Sequence, residues 1–236
     1  MPADRLSLGS ALLNFLFPPL CFCCGALVGS HADTLCPACR SRTRLLTTDD
    51  PLFCLTWSRL CGDGLCDDLV SGFRFEKDGP VQALLHALKY RGGERVGRSL
   101  GAQVGALVRQ RPWAPALDLI IPLPLHKAKL RERGYNQAEQ CALGMAAVLG
   151  IPVRRSGVRR VRWTRSQTTL GFAERQENVQ AAFLVPSREQ EFLRGKNILL
   201  VDDVITTGAT IRACATALAR CRAGGLSVAS IALAEQ

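Results

Sequence analysis

Beyond residue 66, hydrophobic residues recur with the spacings of regular secondary structure. Helical spacing predicts helices over VQALLHALKY (81–90), GRSLGAQVGALVRQ (97–110) and NQAEQCALGMAAVLG (136–150). Short apolar runs predict strands at LDLIIPLPL (117–125), ILLV (198–201) and LSVASIALA (226–234). A further helix is predicted after residue 208, ending near Arg222. Apolar strands that alternate with helices are typical of a parallel sheet with helices on both faces, so the predicted fold class is α/β.

Residues 1–66 follow a different pattern, because they are rich in cysteine and proline and lack long periodic segments. Cys21 with Cys24, and Cys36 with Cys39, form two C-x2-C pairs separated by eleven residues. Four thiolates at this spacing can surround one tetrahedral Zn²⁺ at about 2.3 Å each. Ordinary buried cysteines would not explain five cysteines within residues 21–39. We therefore predict a small zinc-binding module over residues 1–66 and an α/β domain over residues 67–236.

The charge of the chain favours polyanionic partners. Its 30 Lys and Arg against 20 Asp and Glu give a formal net charge of +10 over 236 residues. Sugar phosphates, nucleic acid and anionic membrane surfaces all fit such a charge.

No apolar stretch approaches the roughly 18 residues of a membrane span, and the start lacks the features of an export signal. We therefore expect a cytoplasmic protein without a membrane span, in which the cysteines are reduced.

The segment ILLVDDVITTGATI, residues 198–211, combines a strand with two acids and a polar loop. Its apolar run predicts a buried strand that brings Asp202 and Asp203, the acid pair, to the edge of the sheet. Unpaired backbone N–H groups and the dipole at the start of the next helix can bind an anion, and threonine hydroxyls add donors. We call this candidate phosphate site the threonine loop; it consists of Thr206, Thr207, Gly208, Ala209 and Thr210.

Two other interpretations of this segment explain less of it than an acid pair beside a phosphate loop does. A strand that ends in two acids also occurs in P-loop nucleotidases, but the chain lacks the G-x-x-x-x-G-K-[ST] sequence that those enzymes require. Capping or solvated carboxylates at a strand end are common in α/β proteins. They do not explain the Thr-Thr-Gly-Ala-Thr sequence that follows.

The stretch ILLVDDVITTGAT resembles the phosphoribosyl-diphosphate (PRPP) fingerprint of the type I phosphoribosyltransferases. Together with CFCCG, LCPACR, LKYRGG, IPLPLHKAKLRERGYNQAE and RRVRWTRSQTTLGFAERQENVQAAF, it occurs in the order typical of the ComF family of competence-associated, phosphoribosyltransferase-like proteins. The resemblance spans nearly the whole chain. The chain departs from the family in the crowded CFCCG and in Cys54, Cys61 and Cys66, whose spacing is irregular and to which we assign no metal.

The resemblance implies roles in binding PRPP. Asp202 and Asp203 would be the catalytic acids that hold the ribose 2′- and 3′-hydroxyls, and the threonine loop would bind the 5′-phosphate. The diphosphate, with Mg²⁺, would lie on the basic segment PLHKAKLRERGYNQ. Its predicted ligands are Arg131, Arg133 and Asn136, whereas His126 in the same segment fits a structural role equally well.

The basic stretch 154–175 would be a flexible loop that closes over the sugar phosphate and excludes water. The positions that match the family there are Arg162, Gln167, Arg175 and Asn178. The same stretch has a second interpretation, because arginines around Trp163 in residues 154–165 could track single-stranded DNA and stack on a base. A solvated loop is the simplest alternative to both.

The resemblance leaves two functions open. The first is a PRPP-binding protein that serves DNA uptake in natural transformation, with single-stranded DNA and the DNA-uptake machinery as partners. The second is an active Mg²⁺-dependent phosphoribosyltransferase of nucleotide metabolism with an unidentified acceptor. Both functions use the same sugar-phosphate site.

Overall fold

The computed structural model describes residues 18–30, 34–90, 93–161 and 182–235. Four parallel strands form one sheet in the order β1-β6-β5-β2. These strands are β1 (Asp68–Arg74), β2 (Leu119–Pro122), β5 (Ile198–Ile205) and β6 (Leu226–Leu233). A separate antiparallel pair consists of β3 (Arg159–Arg160) and β4 (Phe183–Leu184). The predicted parallel sheet is therefore confirmed.

Helices surround the sheet. In the described part of the chain they are α1 (Pro37–Arg40), α2 (Pro51–Cys61), α3 (Pro80–Tyr90), α4 (Glu94–Arg109), α5 (Lys127–Arg133), α6 (Gln137–Leu149), α7 (Ser187–Leu193) and α8 (Ala209–Ala219), with a 3₁₀ turn at Ala114–Ala116. Helices α3, α4, α6 and α8 confirm the four predicted helices with ends shifted by a few residues. None of the helices described is both long and apolar enough to cross a membrane.

The side chains of β5 alternate between two hydrophobic cores, one on each face of the sheet. Ile198 and Leu200 lie in the core that also contains buried residues of α2 and α8. Leu199 and Val201 lie in the core that contains buried residues of α3, α4 and α6. Because helices cover both faces of the sheet, β5 carries apolar side chains on both of its faces, as the sequence predicts.

Strand β5 is longer than predicted, and this changes where the acid pair lies. The strand continues to Ile205, so Asp202 and Asp203 lie within it and not after it. Its neighbour β2 ends at Pro122, which pairs with Val201. Beyond Val201 the strand is paired on one side only, with β6. The acid pair therefore begins where β5 extends past its neighbour, at the carboxyl edge of the sheet.

Helix α2 and strand β1 were not predicted, yet both belong to the packed sheet. Leu52, Phe53 and Leu60 of α2 are buried in the core shared by β5 and α8. Asp50 caps α2 by accepting a hydrogen bond from the Leu52 N–H group at 2.9 Å, and it pairs with Arg74 of β1 at 2.7 Å. The division at residue 66 stays a prediction, although α2, which precedes it, packs against the sheet.

Candidate functional site

The acid pair forms the centre of the candidate site. Both side chains are partly buried, and each accepts a hydrogen bond from the next backbone N–H group, Asp202 from Asp203 at 2.8 Å and Asp203 from Val204 at 3.0 Å. Burial and the adjacent Asp203 carboxylate raise the pKa of Asp202 well above its usual range, and the Arg160 guanidinium opposes this rise. Two carboxylates so close together attract hydroxyl donors or a cation.

A row of buried hydroxyls leads across the sheet to the acid pair. Asp202 is in register with Ser230 of β6, which is in register with Ser71 of β1. The two serines are buried, and the Ser230 hydroxyl donates to the Ser71 hydroxyl at 2.9 Å. Buried polar groups need such partners. The sequence signal was available, because each serine interrupts an apolar strand, but we did not assign it to the site.

The threonine loop connects β5 to α8 as predicted. Gly208 precedes the first helical residue, Ala209, and has a left-handed φ of +76°. A Cβ atom at Gly208 would lie 2.6 Å from Cδ2 of Leu60 in α2, so both backbone and packing require glycine there. The Thr207 hydroxyl accepts a hydrogen bond from the Ala209 N–H group at 3.2 Å, and the Thr206 side chain is exposed. Donors at the start of α8 are therefore arranged to bind an anion.

The segment after α2 holds the first turn of α8 in place. Arg212 donates to the backbone oxygen of Arg59 at 2.7 Å and to the Asp63 carboxylate at 2.5 and 3.2 Å. These bonds lower the pKa of Asp63 to about 2. The amino-terminal part of the chain therefore holds the start of the helix that follows the threonine loop. This contact joins residues far apart in the sequence, so motif spacing does not reveal it.

The segment after β2 brings the start of α6 beside the acid pair. The Leu123 N–H group donates to the Val201 oxygen at 2.8 Å, and the Asn136 amide donates to the Leu123 oxygen at 2.9 Å. The Asn136 side-chain oxygen accepts from the Ala138 N–H group at 3.2 Å and caps α6. The Asn136 side chain thus joins the start of α6 to Leu123, and Leu123 is bonded to β5 at the residue before Asp202. Its role as a diphosphate ligand stays a prediction.

Part of the predicted basic loop is the short helix α5. His126 caps this helix by accepting from the Ala128 N–H group at 3.2 Å, and Arg131 is exposed. Arg133 donates to the Gln137 side-chain oxygen at 3.0 Å. The Arg133 Nε and Gln137 Nε2 atoms are buried and have no hydrogen-bond partner among the described residues. Since an unsatisfied buried donor costs about 1–3 kcal/mol, these two groups favour an acceptor at the start of α6.

The predicted flexible loop is described only as far as Val161. Trp163 and the four positions matched to the family lie outside the described residues: Arg162, Gln167, Arg175 and Asn178. Within the described part, Arg154 pairs with Glu189 at 2.8 Å and Arg155 pairs with Glu139 at 2.8 Å. These two arginines therefore have acidic partners within the protein, which weakens their suitability as a DNA track.

Arg160 is a site residue that the sequence placed only within a basic cluster. Its guanidinium carbon lies 5.4 Å from the centre of the Phe183 ring. Burial lowers the pKa of Arg160, and the Asp202 carboxylate opposes this change. The short β3–β4 pair thus holds a cation in the field of the acid pair.

The four cysteines of the two C-x2-C pairs come together. The Sγ atoms of Cys21, Cys24, Cys36 and Cys39 lie within 4.8 Å of one another, and those of Cys24 and Cys36 are 3.7 Å apart. Sulfurs about 2.3 Å from a tetrahedral metal would be about 3.8 Å apart, so the cluster fits such an ion. Burial of the Cys21 thiol opposes ionisation, but the backbone N–H groups of Cys24 and Cys36 lower its pKa to about 6. Burial raises the pKa of the Cys39 thiol instead, so Cys21 forms the metal-binding thiolate more readily than Cys39.

The remaining amino-terminal cysteines do not form a second cluster of this kind within the described residues. Cys54 is exposed, whereas Cys61 and Cys66 are buried. Burial raises the pKa of both buried thiols to about 12.

The chain is similar to one known domain family and to two proteins with names that refer to DNA uptake or use. Residues 137–236, which include the acid pair and the threonine loop, match the model of the phosphoribosyl transferase domain. The chain is 33% identical over 135 residues to Competence protein F of Haemophilus influenzae, which covers 56% of this chain and 58% of that protein. It is 30% identical over 144 residues to the DNA utilization protein YhgH of Salmonella typhi, which covers 60% and 62%.

The matches therefore span about three-fifths of the length of these relatives. They confirm the resemblance to the ComF family: the chain is similar to Competence protein F over 135 residues, and its residues 137–236 match the phosphoribosyl transferase domain. The solved structure of a glutamine PRPP amidotransferase from B. subtilis, complexed with ADP and GMP, is 21% identical and covers 61% of this chain and 30% of that chain. Its TM-score of 0.42 is too low to support a statement about function.

Proposed function

We propose that the protein binds PRPP, or a closely related sugar phosphate, at the carboxyl edge of its sheet and serves DNA uptake in natural transformation. The observation that carries this proposal is the continuity of the acid pair with the threonine loop. Two residues separate Asp203 from Thr206, and the loop leads directly into α8. Acceptors for ribose hydroxyls and donors for a phosphate therefore lie on one continuous segment.

Each part of PRPP has matching chemistry on this edge. The carboxylates of the acid pair would accept hydrogen bonds from the ribose 2′- and 3′-hydroxyls. The 5′-phosphate would lie at the start of α8, where backbone N–H groups and the hydroxyls of Thr206, Thr207 and Thr210 can donate to it. Arg131 and Arg133 would bind the diphosphate. Mg²⁺, when bound with the ligand, would neutralise part of its charge.

The names of the relatives support a role with DNA. One is called a competence protein and the other a DNA utilization protein. The net charge of +10 adds a general attraction to single-stranded DNA. Since Arg154 and Arg155 are paired with acids, DNA contacts within residues 154–161 would fall mainly on Arg159, which is exposed. The DNA-uptake machinery is the second proposed partner.

We further propose that the ion of the cysteine cluster is structural Zn²⁺. Four cysteine sulfurs form a closed tetrahedral set, which is typical of structural zinc and leaves no position for a substrate. Such thiolates stay reduced in the cytoplasm, where we place the protein.

A second candidate function is an active phosphoribosyltransferase. In that reaction the bond from ribose C1′ to the diphosphate oxygen breaks, the diphosphate leaves with the electron pair, and an acceptor atom bonds to C1′ and loses its proton. The observation that favours it is the adjacent pair of carboxyl groups of Asp202 and Asp203, which in their ionised form would stabilise the positive charge that develops on the sugar. The chemical class of the acceptor is not specified by the residues described.

Isothermal titration calorimetry with PRPP tests the proposed site. We expect Mg²⁺-dependent binding that falls by at least tenfold in the double variant Asp202→Asn with Asp203→Asn, because a hydrogen bond to a charged group contributes about 1.5–3 kcal/mol. Asp118→Asn is a matched control, since Asp118 precedes β2 at the opposite edge of the sheet and binds Lys196. Equal affinity of wild type and double variant would contradict the assignment.

A further inference from the structure

One side chain connects the LKYRGG segment to the candidate site. The Tyr135 hydroxyl donates a hydrogen bond to the backbone oxygen of Leu88 and accepts one from the Gly93 N–H group at 3.1 Å. Leu88 lies near the end of α3, and Gly93 precedes the first residue of α4. A single hydroxyl therefore bonds to a residue on each side of the connection between α3 and α4.

The partners of Tyr135 are themselves fixed in position. A Cβ atom at Gly93 would lie 2.4 Å from the Ala87 oxygen and 2.4 Å from the Leu88 Cα atom, so the glycine packs directly on the end of α3. Burial raises the pKa of Tyr135, which keeps the hydroxyl protonated and able to donate. With its donor and an acceptor position both used, the phenol is held in one orientation.

Two hydrogen bonds connect the residue after Tyr135 to the residue before the acid pair. The next residue, Asn136, donates to the Leu123 oxygen, and the Leu123 N–H group donates to the oxygen of Val201, which precedes Asp202. On its other side, Gly134 has a left-handed φ of +79° and ends α5. Helix α5 therefore ends immediately before Tyr135, which bonds to both sides of the connection between α3 and α4.

Buried donors flank this anchor. Arg133 Nε and Gln137 Nε2 lack hydrogen-bond partners among the described residues, and Gln137 is 1% exposed at the first position of α6. A helix start with unsatisfied donors beside it favours an anion. Their positions depend on the short segment that Tyr135 holds.

We propose that Tyr135 is a positioning residue for the diphosphate end of the site. Its hydroxyl anchors residues 133–137 to Leu88 and Gly93, on either side of the α3–α4 connection, and keeps the Arg133 and Gln137 donors in place for a diphosphate group. This inference rests on the proposed PRPP function, to which it adds the residue that fixes the diphosphate segment. It also explains the LKYRGG segment, for which the sequence indicated no role.

The test compares Tyr135→Phe with Tyr90→Phe, the only other tyrosine in the chain. Tyr90 is 61% exposed, so its variant controls for loss of a phenol hydroxyl. Calorimetry is done on the full chain with three probes, namely PRPP, inorganic diphosphate and ribose 5-phosphate. We expect Tyr135→Phe to lower the affinity for PRPP and for diphosphate about tenfold, which is the effect of about one hydrogen bond. The affinity for ribose 5-phosphate should not change. Tyr90→Phe should change none of the three.

The three probes separate this inference from the proposed function. Equal weakening of all three, or unchanged diphosphate affinity, would overturn the positioning role while PRPP binding stands. If the wild type binds diphosphate but neither PRPP nor ribose 5-phosphate, the PRPP proposal fails, and a tenfold loss in Tyr135→Phe still supports the anchor. If the wild type binds none of them, both are rejected.

A second variant decides the question if Tyr135→Phe does not fold. Gln137→Glu keeps the shape of the side chain but replaces the unpartnered Nε2 donor with a negative oxygen. We expect it to lower the affinity for diphosphate more than tenfold and to leave the affinity for ribose 5-phosphate unchanged. Unchanged diphosphate affinity in Gln137→Glu would overturn the proposal.

Discussion

At the scale of single residues, Gly208 shows how backbone and packing jointly determine the threonine loop. Gly208→Ala would place a Cβ at a left-handed φ and within 2.6 Å of Leu60 Cδ2. We expect a loss of about 2–4 kcal/mol in the free energy of unfolding, from backbone strain of about 1–2 kcal/mol and the rest from overpacking. The control is Gly64→Ala, because Gly64 has a φ of +74° but no atom within 4 Å of its added Cβ. Urea unfolding that gives equal losses for both variants would contradict the contact with Leu60.

At the scale of secondary-structure elements, the sequence predicts long periodic segments well and short or interrupted ones poorly. Helix α4 and strand β6 follow directly from their apolar spacing. Strand β1 was missed because Ser71 and Gly72 interrupt its apolar pattern, and α5 because its residues are mostly charged and exposed. Strand β5 was ended too early because carboxylates are rarely buried, whereas here they continue the strand at the sheet edge.

The candidate site shows the same limit. Motif spacing predicts the acid pair, the threonine loop and the cysteine cluster, because each depends on neighbours along the chain. The Arg212–Asp63 pair and the bonds of Tyr135 join residues far apart in sequence, so no local pattern indicates them. In the sequence Arg160 is only one of several arginines. What sets it apart is the electrostatic influence of Asp202, which depends on the fold.

The cysteine cluster is the element that a metal would stabilise most. We expect one Zn²⁺ per chain in protein prepared without chelator, and none in Cys36→Ser, since three thiolates no longer close the tetrahedral set. Limited proteolysis should then cut before residue 50 while the α/β sheet resists. Cys54→Ser is the matched control because Cys54 is exposed and outside the cluster. Metal analysis that finds no zinc in the wild type would contradict the proposal.

At the scale of the whole molecule, the described parts converge on the carboxyl edge of one parallel sheet. Helix α2 supports the threonine loop from one face, because Leu60 packs at Gly208 and the Arg59 backbone oxygen accepts from Arg212 of α8. On the other face, Tyr135 bonds to the connection between α3 and α4, and Asn136 bonds to Leu123 after β2, so both hold the basic segment. Ligand groups at the open end of parallel strands are the general rule for such sheets. The site is therefore built by most of the chain, although its chemistry resides in short motifs.

The most direct test of the sugar-phosphate site is ³¹P nuclear magnetic resonance of PRPP titrated with the full chain and Mg²⁺, because the 5′-phosphate and the diphosphate give separate resonances. With wild-type protein we predict that both sets of resonances shift and broaden, since the threonine loop binds one end and residues 133–137 the other. In Asp202→Asn with Asp203→Asn, the changes should require at least tenfold more protein. A 5′-phosphate resonance that stays unchanged with saturating wild-type protein would contradict a sugar-phosphate site at the acid pair and threonine loop.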